Sequence, residues 1–558
     1  MAASSNSTED TWHPSRLLAY DALPNCQDVF DSTISEAKST AETRTDFYDR
    51  SLTSRRYALV GVVSTGIISC CFITVGTVTV ANHGVSGVTV IAQIDNNASR
   101  LQREIWTLIL NLIVTLCTES IGFVHGISLR SALASESRLR FNTNLRLLTA
   151  ARGWSNPNGA LLNGIMGVLL IMTYSLSSLV ISPALKFNRG SDGFTWSIGF
   201  AGLPVLLLGV SLLLQVVIAS LGLRAAKILT WSSSAFDLTA ALVHHTQLTP
   251  IHFRCMRGIS DLDFHGGPAK PSETQPSAWH AHPSIRKVIF SLFGVIVVYA
   301  GSAALAMYIS KLNGFNTSPT WTFMHSQSNT IWFNLPSVGG PDWGVNVRGW
   351  ILAFVIVAVV QGPLTLGLHC SELIANVVRD ERQWRSATRR GGLRTTTNPL
   401  KQVFTDPRCL VLFFAKPLLH WMFGLSFSFD NMAYNESVPK VMIYISITQV
   451  RIYRPSSAAT TPSLTLAQIR NLCIALVIFA CFFTFVALRR PRGPQPAAYG
   501  HLQTLANLVD EWSLVMWWGH KEDGIPYCHA GTSEQPLPAV KMDCVYAGSC
   551  VQTHQTVS

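Results

Sequence analysis

The chain has 558 residues, of which 13% are charged and 48% are apolar, and its formal net charge is +11. Soluble domains usually carry about twice that fraction of charged residues, so a soluble multidomain protein is excluded. Nucleic acid is not an expected partner, because the cations lie in loops between long apolar runs rather than in one basic patch. The composition therefore predicts an integral membrane protein.

The first 55 residues are rich in Ser, Thr, Asp and Glu. This composition predicts a disordered tail, because such a segment has too little apolar surface to form a core. The segment also has no apolar run of about 7–15 residues followed by a cleavage-like site, so no secretory signal peptide is expected. The first membrane span is then expected to act as the insertion signal.

Eight apolar runs follow, each of about 20 residues and long enough to cross a hydrocarbon layer of roughly 30 Å as a helix. They are Tyr57–Ala81, Ile105–Ile127, Ala160–Ser182, Ile198–Leu223, Val288–Ser310, Trp350–Leu368, Cys409–Ser428 and Leu472–Leu488. The seventh run contains Lys416 and Pro417, so a re-entrant segment is the alternative there. The sequence predicts an all-α transmembrane bundle of about eight spans that contacts the lipid bilayer.

Lysines and arginines are distributed unevenly between the loops. The loops after the second, fourth and sixth runs hold 20 of them, and the four intervening loops hold ten. Arg55 and Arg56 precede the first run, and Arg489 and Arg490 follow the last. Because cytoplasmic loops carry the excess of Lys and Arg, both termini are predicted to be cytoplasmic. The membrane is expected to be the plasma membrane or one of the secretory pathway.

The loops predicted to lie outside contain three N-x-S/T sequons, at Asn97, Asn316 and Asn435, which are possible glycosylation sites. A fourth sequon, at Asn6, lies in the inside tail and is expected to stay unmodified. None of the twelve cysteines falls in the outside loops. No disulfide framework is therefore expected.

The topology divides into two halves of four spans with the same orientation. Trp106 precedes His125 by 19 positions, and Trp350 precedes His369 by the same distance. We interpret this as a possible 4+4 parallel duplication; the alternative is that interfacial Trp and basic loops recur in any membrane protein. The predicted organisation is a tail at 1–55, a first half at 56–260, a flexible linker at 261–285, a second half at 286–490 and a C-terminal tail with an amphipathic helix at 491–558.

Ionisable side chains inside membrane spans suggest function because they are unfavourable there. Glu119 and Lys416 are predicted to lie ~10–12 Å inside the same membrane boundary, counted at 1.5 Å per helical residue. Together they could form an intramembrane pair on an ion or proton path, or a purely structural ion pair. His125 could relay protons, but it lies between Gly122 and Gly126, a spacing that also favours close helix packing.

No metal, cofactor or catalytic site is predicted. His244 and His245 are adjacent, so on a helix they point about 100° apart and do not chelate one ion as an i,i+4 pair would. The C-terminal tail offers four further possible ligands, His520, Cys528, His529 and Cys544, but their spacing matches no usual zinc pattern. No nucleotide-binding or hydrolase motif occurs. An enzyme is therefore the least expected class.

Three strings of the sequence carry a resemblance. The tail string YGHLQTLANLVDEW and the loop strings LRFNTNLRLLTAARGWSNPNGALLN and FDLTAALVHHTQLTP resemble an uncharacterised family of fungal multipass membrane proteins. The resemblance extends over most of the chain, from residue 50 onward. It implies a multipass membrane protein of fungal type and no particular mechanism.

Two functions remain open from the sequence. The first is a transporter or channel for a small solute or ion, indicated by the two similar halves and by Glu119 and Lys416. The alternative is a membrane-embedded scaffold or sensor that binds cytoplasmic partners through its inside loops and C-terminal tail.

Overall fold

The computed structural model describes residues 52–85, 87–94, 99–188, 193–261, 267–312, 330–331, 347–394, 404–427, 429–431, 443–445 and 464–548. Within these residues, eight helices are long and apolar enough to cross a membrane. We number them span 1 to span 8: Leu52–His83, Ser99–Ser135, Ala160–Val180, Gly202–Ala225, Pro283–Leu312, Val347–Cys370, Pro407–Ser426 and Leu466–Leu488. The predicted all-α bundle of eight spans is confirmed. The seventh run forms one continuous helix despite Pro417.

The outer surface of the spans carries large apolar side chains. Val60 is 62% exposed, Val297 is 69% exposed and Val359 is 69% exposed. A continuous surface of this kind is unfavourable in water but is the surface that a lipid layer solvates. Inside such a layer each backbone N–H and C=O group must be bonded within its own segment, which is why apolar runs of this length fold as helices.

Most span bounds differ from the prediction by a few residues, and two of these differences have identifiable reasons. Span 2 continues beyond Ile127 to Ser135, because the segment after Ile127 stays helical while it packs among the loops. Span 4 begins at Gly202 instead of Ile198, because the preceding aromatic and β-branched residues form a strand. Pro204 suits the first helical turn, where its missing N–H leaves no bond unmade.

The two halves of the bundle share four neighbour pairs and differ in a fifth, because span 2 also packs against span 4 whereas span 6 does not pack comparably against span 8. In the first half span 1 packs against spans 2 and 4, and span 3 packs against spans 2 and 4. In the second half span 5 packs against spans 6 and 8, and span 7 packs against spans 6 and 8. The halves meet where span 2 contacts span 7 and where span 3 contacts spans 6 and 7. The boundary between the halves therefore runs between spans 2 and 3 on one side and spans 6 and 7 on the other.

Short strands, which the sequence did not predict, lie in the loops. Strands β1 Val88–Ile94, β2 Ile181–Asn188 and β3 Gly193–Ala201 form an antiparallel sheet in the order β1-β3-β2. The other described strands are β4 Thr330–Ile331, β5 Leu393–Arg394, β6 Phe429–Asn431, β7 Ile443–Ile445, β8 Leu464–Thr465, β9 Val515–Glu522 and β10 His529–Ser533. Strand β4 pairs with β8, β6 pairs with β7, and β9 lies between β5 and β10.

The loops that hold the excess of cations pack with the C-terminal tail into one unit. We call this unit the loop body; it comprises residues 136–159, 226–261, 267–282, 371–394 and 489–548. Buried bonds join its segments: Asn142 Nδ2 donates to Asp380 Oδ2 at 2.9 Å, and Trp384 Nε1 donates to the Pro496 carbonyl at 2.7 Å. The segments on this side of the spans are thus held together by specific polar contacts.

The C-terminal tail contributes a helix and a hairpin to the loop body. The predicted amphipathic helix is limited to Leu502–Leu508, and Leu502 and Leu505 are buried. It packs against the helix Ala235–His244. Strands β9 and β10 follow as an antiparallel hairpin.

Two predicted features have different outcomes. The described residues of the linker predicted to be flexible pack against the tail: Tyr499 Oη donates to the Pro276 carbonyl at 2.9 Å. The three candidate glycosylation sites, Asn97, Asn316 and Asn435, lie outside the described residues.

Candidate functional site

Lys416 joins the two halves of the bundle inside the membrane-spanning region. It lies on span 7, and its side chain is only 1% exposed. Its Nζ donates to Glu119 Oε1 on span 2, which is the pairing that the sequence suggested. It also donates to Glu372 Oε1 at 2.5 Å, a partner that the sequence did not suggest. One ammonium group is therefore shared by two carboxylates.

Glu372 enters the site through a break between two helices. Span 6 ends at Cys370, and a second helix, Glu372–Trp384, begins after Ser371. The Ser371 hydroxyl donates to the Gly367 carbonyl at 2.8 Å and so bonds one carbonyl near the end of span 6. An acidic residue in the first turn of a helix is also favoured by the helix dipole. The sequence placed this residue in a loop because hydropathy falls after Leu368.

His369 contacts both carboxylates. Its Nδ1 lies 3.1 Å from Glu372 Oε1 and 3.8 Å from Glu119 Oε1. We call Glu119, His369, Glu372 and Lys416 the charge centre. Its parts come from spans 2, 6 and 7 and from the helix Glu372–Trp384, so it lies on the boundary between the halves.

A layer of aromatic and polar side chains packs against the charge centre. Tyr174 of span 3 stacks on His420 of span 7, with ring centroids 3.8 Å apart and planes 12° apart. Tyr174 Oη is 3.2 Å from Thr115 Oγ1 and 3.1 Å from Thr118 Oγ1. Gln361 Nε2 lies 3.0 Å from His420 Nδ1. His420 follows Lys416 by one helical turn, a spacing that could have identified it from the sequence.

Two buried ring nitrogens in this region have no hydrogen-bond partner in the described part of the chain, namely His369 Nε2 and His420 Nε2. Buried polar atoms are nearly always bonded, so an unpaired one requires an explanation. A bound water, an ion or a transported ligand would supply the missing partner.

Arg146 supplies a second positive charge. Its side chain lies over Gly122 of span 2, where any Cβ would overlap the guanidinium. Its charge acts on Glu372 and on His125. With ionised carboxylates and neutral histidines, Glu119 and Glu372 are balanced by Lys416 and Arg146, which reduces the electrostatic penalty of burying them.

His125 is fully buried but is not part of the charge centre. Both of its ring nitrogens lack a hydrogen-bond partner among the described residues. The small face formed by Gly122 and Gly126, predicted to receive a neighbouring helix, receives the side chain of Arg146 instead. The physical reason is that the loop after span 2 folds back over its own helix.

The charge centre is open on its acidic side. The side chain of Glu119 is 32% exposed and that of Glu372 is 23% exposed, whereas Lys416 and His369 are each 1% exposed. The carboxylates therefore offer surface to a solvent or ligand while the ammonium is enclosed by protein.

Among the described residues, two groups of side chains have the geometry to hold a metal ion. The ligand atoms of Glu119, His369 and Glu372 all lie within 4.8 Å of one another. The Lys416 ammonium already bonds both carboxylates there, so a cation would have to displace it. The absence of a metal cofactor stays a prediction from the sequence.

The second group is His520, Asp523 and Cys528 in the β9–β10 hairpin, with ligand atoms that likewise lie within 4.8 Å of one another. Lys541 Nζ bonds both Asp523 oxygens, at 2.5 and 2.6 Å. Here too an ammonium takes the place next to the acid. The sequence named His520 and Cys528 but missed Asp523, which only the hairpin brings between them.

Asp510 organises the remaining polar contacts of the hairpin. It accepts from His529 Nε2 at 2.8 Å, from the Thr532 amide at 2.6 Å and from Lys521 Nζ at 3.0 Å. Burial opposes ionisation of Asp510, but these donors outweigh it and hold the pKa of the carboxyl well below its ordinary value. Burial likewise opposes charge on His529, yet the bond to Asp510 raises the pKa of that ring to about 9.

No protein-family model matches this chain, and no curated protein or solved structure matches it either. Its resemblance to the fungal membrane family therefore stays a prediction from the sequence. The function must be inferred from the charge centre and from the surfaces around it.

Proposed function

We propose that this multipass membrane protein transports a small solute or ion and that the charge centre couples this movement to protons or another cation. The observation that carries the proposal is the sharing of Lys416 between two carboxylates, Glu119 and Glu372, at the boundary between the halves. The alternative for such a group is a static ion pair.

The bonding of the acids argues against a static pair. Ionisable groups within spans are unfavourable, so a structural site is expected to bond each acid to its own base. Here Lys416 and Arg146 balance the two acids in charge, yet both acids bond the same ammonium. Protonation of Glu119 would leave Lys416 bonded to Glu372, and protonation of Glu372 would leave it bonded to Glu119. Two alternative pairings across one boundary form a two-state element of the kind that conformational switching requires.

The position of the charge centre supports the same conclusion. Transporters built from repeated halves place their substrate and coupling-ion sites where the halves meet. We also propose the 4+4 parallel duplication, which the equal spacing of Trp106 to His125 and of Trp350 to His369 supports. A later experimental structure in which the halves cannot be superposed would contradict the duplication.

The proposal is tested by reconstituting the purified full-length protein in liposomes. Uptake of a panel of sugars, amino acids, organic acids and inorganic ions is measured with and without an inward proton gradient. We expect gradient-dependent uptake of at least one solute. We expect Glu119→Gln to lower its rate about tenfold or more, equivalent to about 1.4 kcal/mol, because the variant removes the titratable group.

Glu136→Gln is the matched control, since Glu136 bonds Arg138 in the loop body away from the charge centre. It should transport as the wild type does. Each variant is first checked for an unchanged melting temperature in detergent, which separates loss of transport from loss of folding. Uptake that is the same for Glu119→Gln and the wild type would contradict the coupling role.

A scaffold or sensor is the second candidate, and the folded loop body is the observation that favours it. The loops after spans 2, 4 and 6 and the C-terminal tail are joined there by buried polar contacts, such as that of Asn142 with Asp380. A scaffold predicts that Glu119→Gln leaves partner binding intact and that removing residues 493–558 abolishes it. Transport predicts loss of uptake in Glu119→Gln.

A further inference from the structure

A large basic cavity lies where the loop body meets the ends of spans 7 and 8. Its volume is about 1520 Å³. Seven arginines line it against two acidic residues, Glu273 and Glu381, which leaves a formal excess of five positive charges. An uncompensated excess of this size in one concave site attracts anions.

Four of these arginines have no acidic partner among the described residues: Arg389, Arg489, Arg490 and Arg492. Each of the other three arginines lies close to an acidic residue. Arg382 and Arg408 both reach Asp406, at 3.8 and 3.5 Å, and Arg385 Nε donates to Glu381 Oε1 at 2.7 Å. Most of the positive charge is therefore available to a ligand.

Buried donors at the same cavity also lack acceptors. Arg385 Nη1 and Nη2, Trp517 Nε1 and Trp518 Nε1 are buried, and none has a hydrogen-bond partner in the described part of the chain. All three residues line the cavity. Guanidinium and indole groups can only donate, so the group that satisfies them must be rich in acceptors. A phosphate, with several acceptor oxygens and negative charge, fits both requirements.

Part of the cavity lining is apolar and belongs to the membrane spans. Val411 of span 7 and Phe482, Phe485 and Val486 of span 8 form this part. Phe485 is 69% exposed. A ligand in this cavity can therefore have a charged end among the arginines and an apolar part along spans 7 and 8.

We propose that this cavity binds a ligand that carries two or more phosphate groups, in the first place the headgroup of an anionic phospholipid. Arginine forks bond phosphate oxygens in pairs, which suits several phosphates in one site. Basic pockets beside membrane helices bind phosphorylated headgroups through the same chemistry. A single phosphate would leave most of the positive charge uncompensated, because four of the arginines have no acidic partner among the described residues. The site lies apart from the charge centre and does not depend on transport.

Binding is measured on the purified full-length protein in a zwitterionic detergent by calorimetry and by tryptophan fluorescence. The probes are a short-chain phosphatidylinositol bisphosphate, the water-soluble inositol trisphosphate and a short-chain phosphatidylcholine. The wild type should bind the bisphosphate lipid and not phosphatidylcholine, and added salt should weaken binding because charges are screened.

Arg489→Gln, Arg490→Gln and Arg492→Gln are combined in one variant. All three side chains are exposed, so folding should not depend on them. We expect the dissociation constant to rise about tenfold or more, which is about 1.4 kcal/mol. The matched control is a second triple variant, Arg140→Gln, Arg152→Gln and Lys227→Gln. It removes the same charge from exposed positions elsewhere in the loop body. It should change the dissociation constant less than about twofold.

The probes separate the two sources of phosphate. Tighter binding of the bisphosphate lipid than of inositol trisphosphate supports a membrane lipid as the ligand. If the wild type binds the two phosphate probes equally and the arginine variant binds both more weakly, the phosphate site is supported but the lipid is overturned as its preferred occupant. No binding of either phosphate probe by the wild type, or equal binding by the two triple variants, would overturn the proposal.

Discussion

Arg146 reaches the charge centre because position 122 has no side chain. Its guanidinium lies over Gly122, in the space that a Cβ would occupy, whereas a Cβ at Gly126 would meet only Arg146 Cδ at 3.9 Å. Both glycines lie on span 2, but only at position 122 does the neighbouring side chain leave no room for a Cβ. The distinction depends on the course of the loop after span 2, which the G-x-x-x-G pattern does not reveal.

Gly122→Ala should therefore lower the stability of the folded protein by up to about 1 kcal/mol, because the Arg146 guanidinium is the end of a flexible side chain and can move aside. Gly126→Ala should be neutral or stabilising by about 0.5–1 kcal/mol, because alanine is the better helix former. Melting temperatures in detergent check both. Equal melting temperatures for the two variants would contradict the placement of Arg146.

Asp510 gives a prediction about pH. Its folded pKa is lowered, so its contribution to stability is complete above the ordinary value of 3.8 and is lost as the pH falls further. The pKa of His529 is raised to about 9, so its contribution is complete below 6.5 and is lost as the pH rises through 9. The hairpin should therefore be most stable between pH 3.8 and pH 6.5.

Hydrogen exchange of the β10 amides, normalised for intrinsic rates, measures this effect. Asp510→Asn should lower their opening free energy by about 2 kcal/mol near pH 6, since it removes charge-assisted hydrogen bonds. The difference from the wild type should shrink toward pH 3. A difference that does not change with pH would show that the carboxylate charge is not what stabilises the hairpin.

At the scale of elements, hydropathy predicts the spans well because each is a continuous apolar run. It fails where an element depends on distant residues. Glu372 starts a new helix after span 6 and turns toward Lys416, which is 44 residues later in the chain. The amphipathic pattern of the C-terminal tail predicts a longer helix than Leu502–Leu508, because Val509 and the following residues enter the hairpin contacts instead. Loop strands such as β5 have two residues and no sequence signal of their own.

The tail also completes the helix Glu372–Trp384, and this can be tested by deletion. The Glu381 carboxylate accepts from the amides of Ala498 and Tyr499, at 2.9 and 2.8 Å, and Trp384 Nε1 donates to Pro496. Removing residues 495–558 leaves these buried groups unpaired. We expect a lower melting temperature and faster proteolysis within residues 371–394.

Trp384→Phe in the full chain is the milder comparison. It removes the indole N–H and part of the buried ring volume but keeps an aromatic side chain, so the free energy of unfolding should fall by about 1–3 kcal/mol. The deletion should be clearly more damaging than this substitution. A deletion variant with unchanged melting and proteolysis would mean that the tail is not a structural part of the loop body.

At the scale of the whole molecule, both sites are assembled from distant segments. The charge centre joins Glu119 to Lys416 across 297 positions, and the sequence suggested it only because the two opposite charges were expected at equal depth. The arginine cavity was invisible in the sequence, where its cations indicated orientation alone. Arg385 and Trp518, which both line it, come from segments that meet only when the tail folds onto the loops.

The proposed coupling requires that water reach the charge centre through its exposed carboxylates. This requirement is tested most directly by thiol labelling in sealed vesicles, in a variant whose twelve native cysteines are replaced. A membrane-impermeant maleimide should label Glu119→Cys from one side of the membrane. It should not label Val114→Cys, because Val114 on the same helix is 0% exposed. Labelling of Glu119→Cys only by a lipid-soluble reagent would show that this position faces lipid and would contradict the access of water to the charge centre.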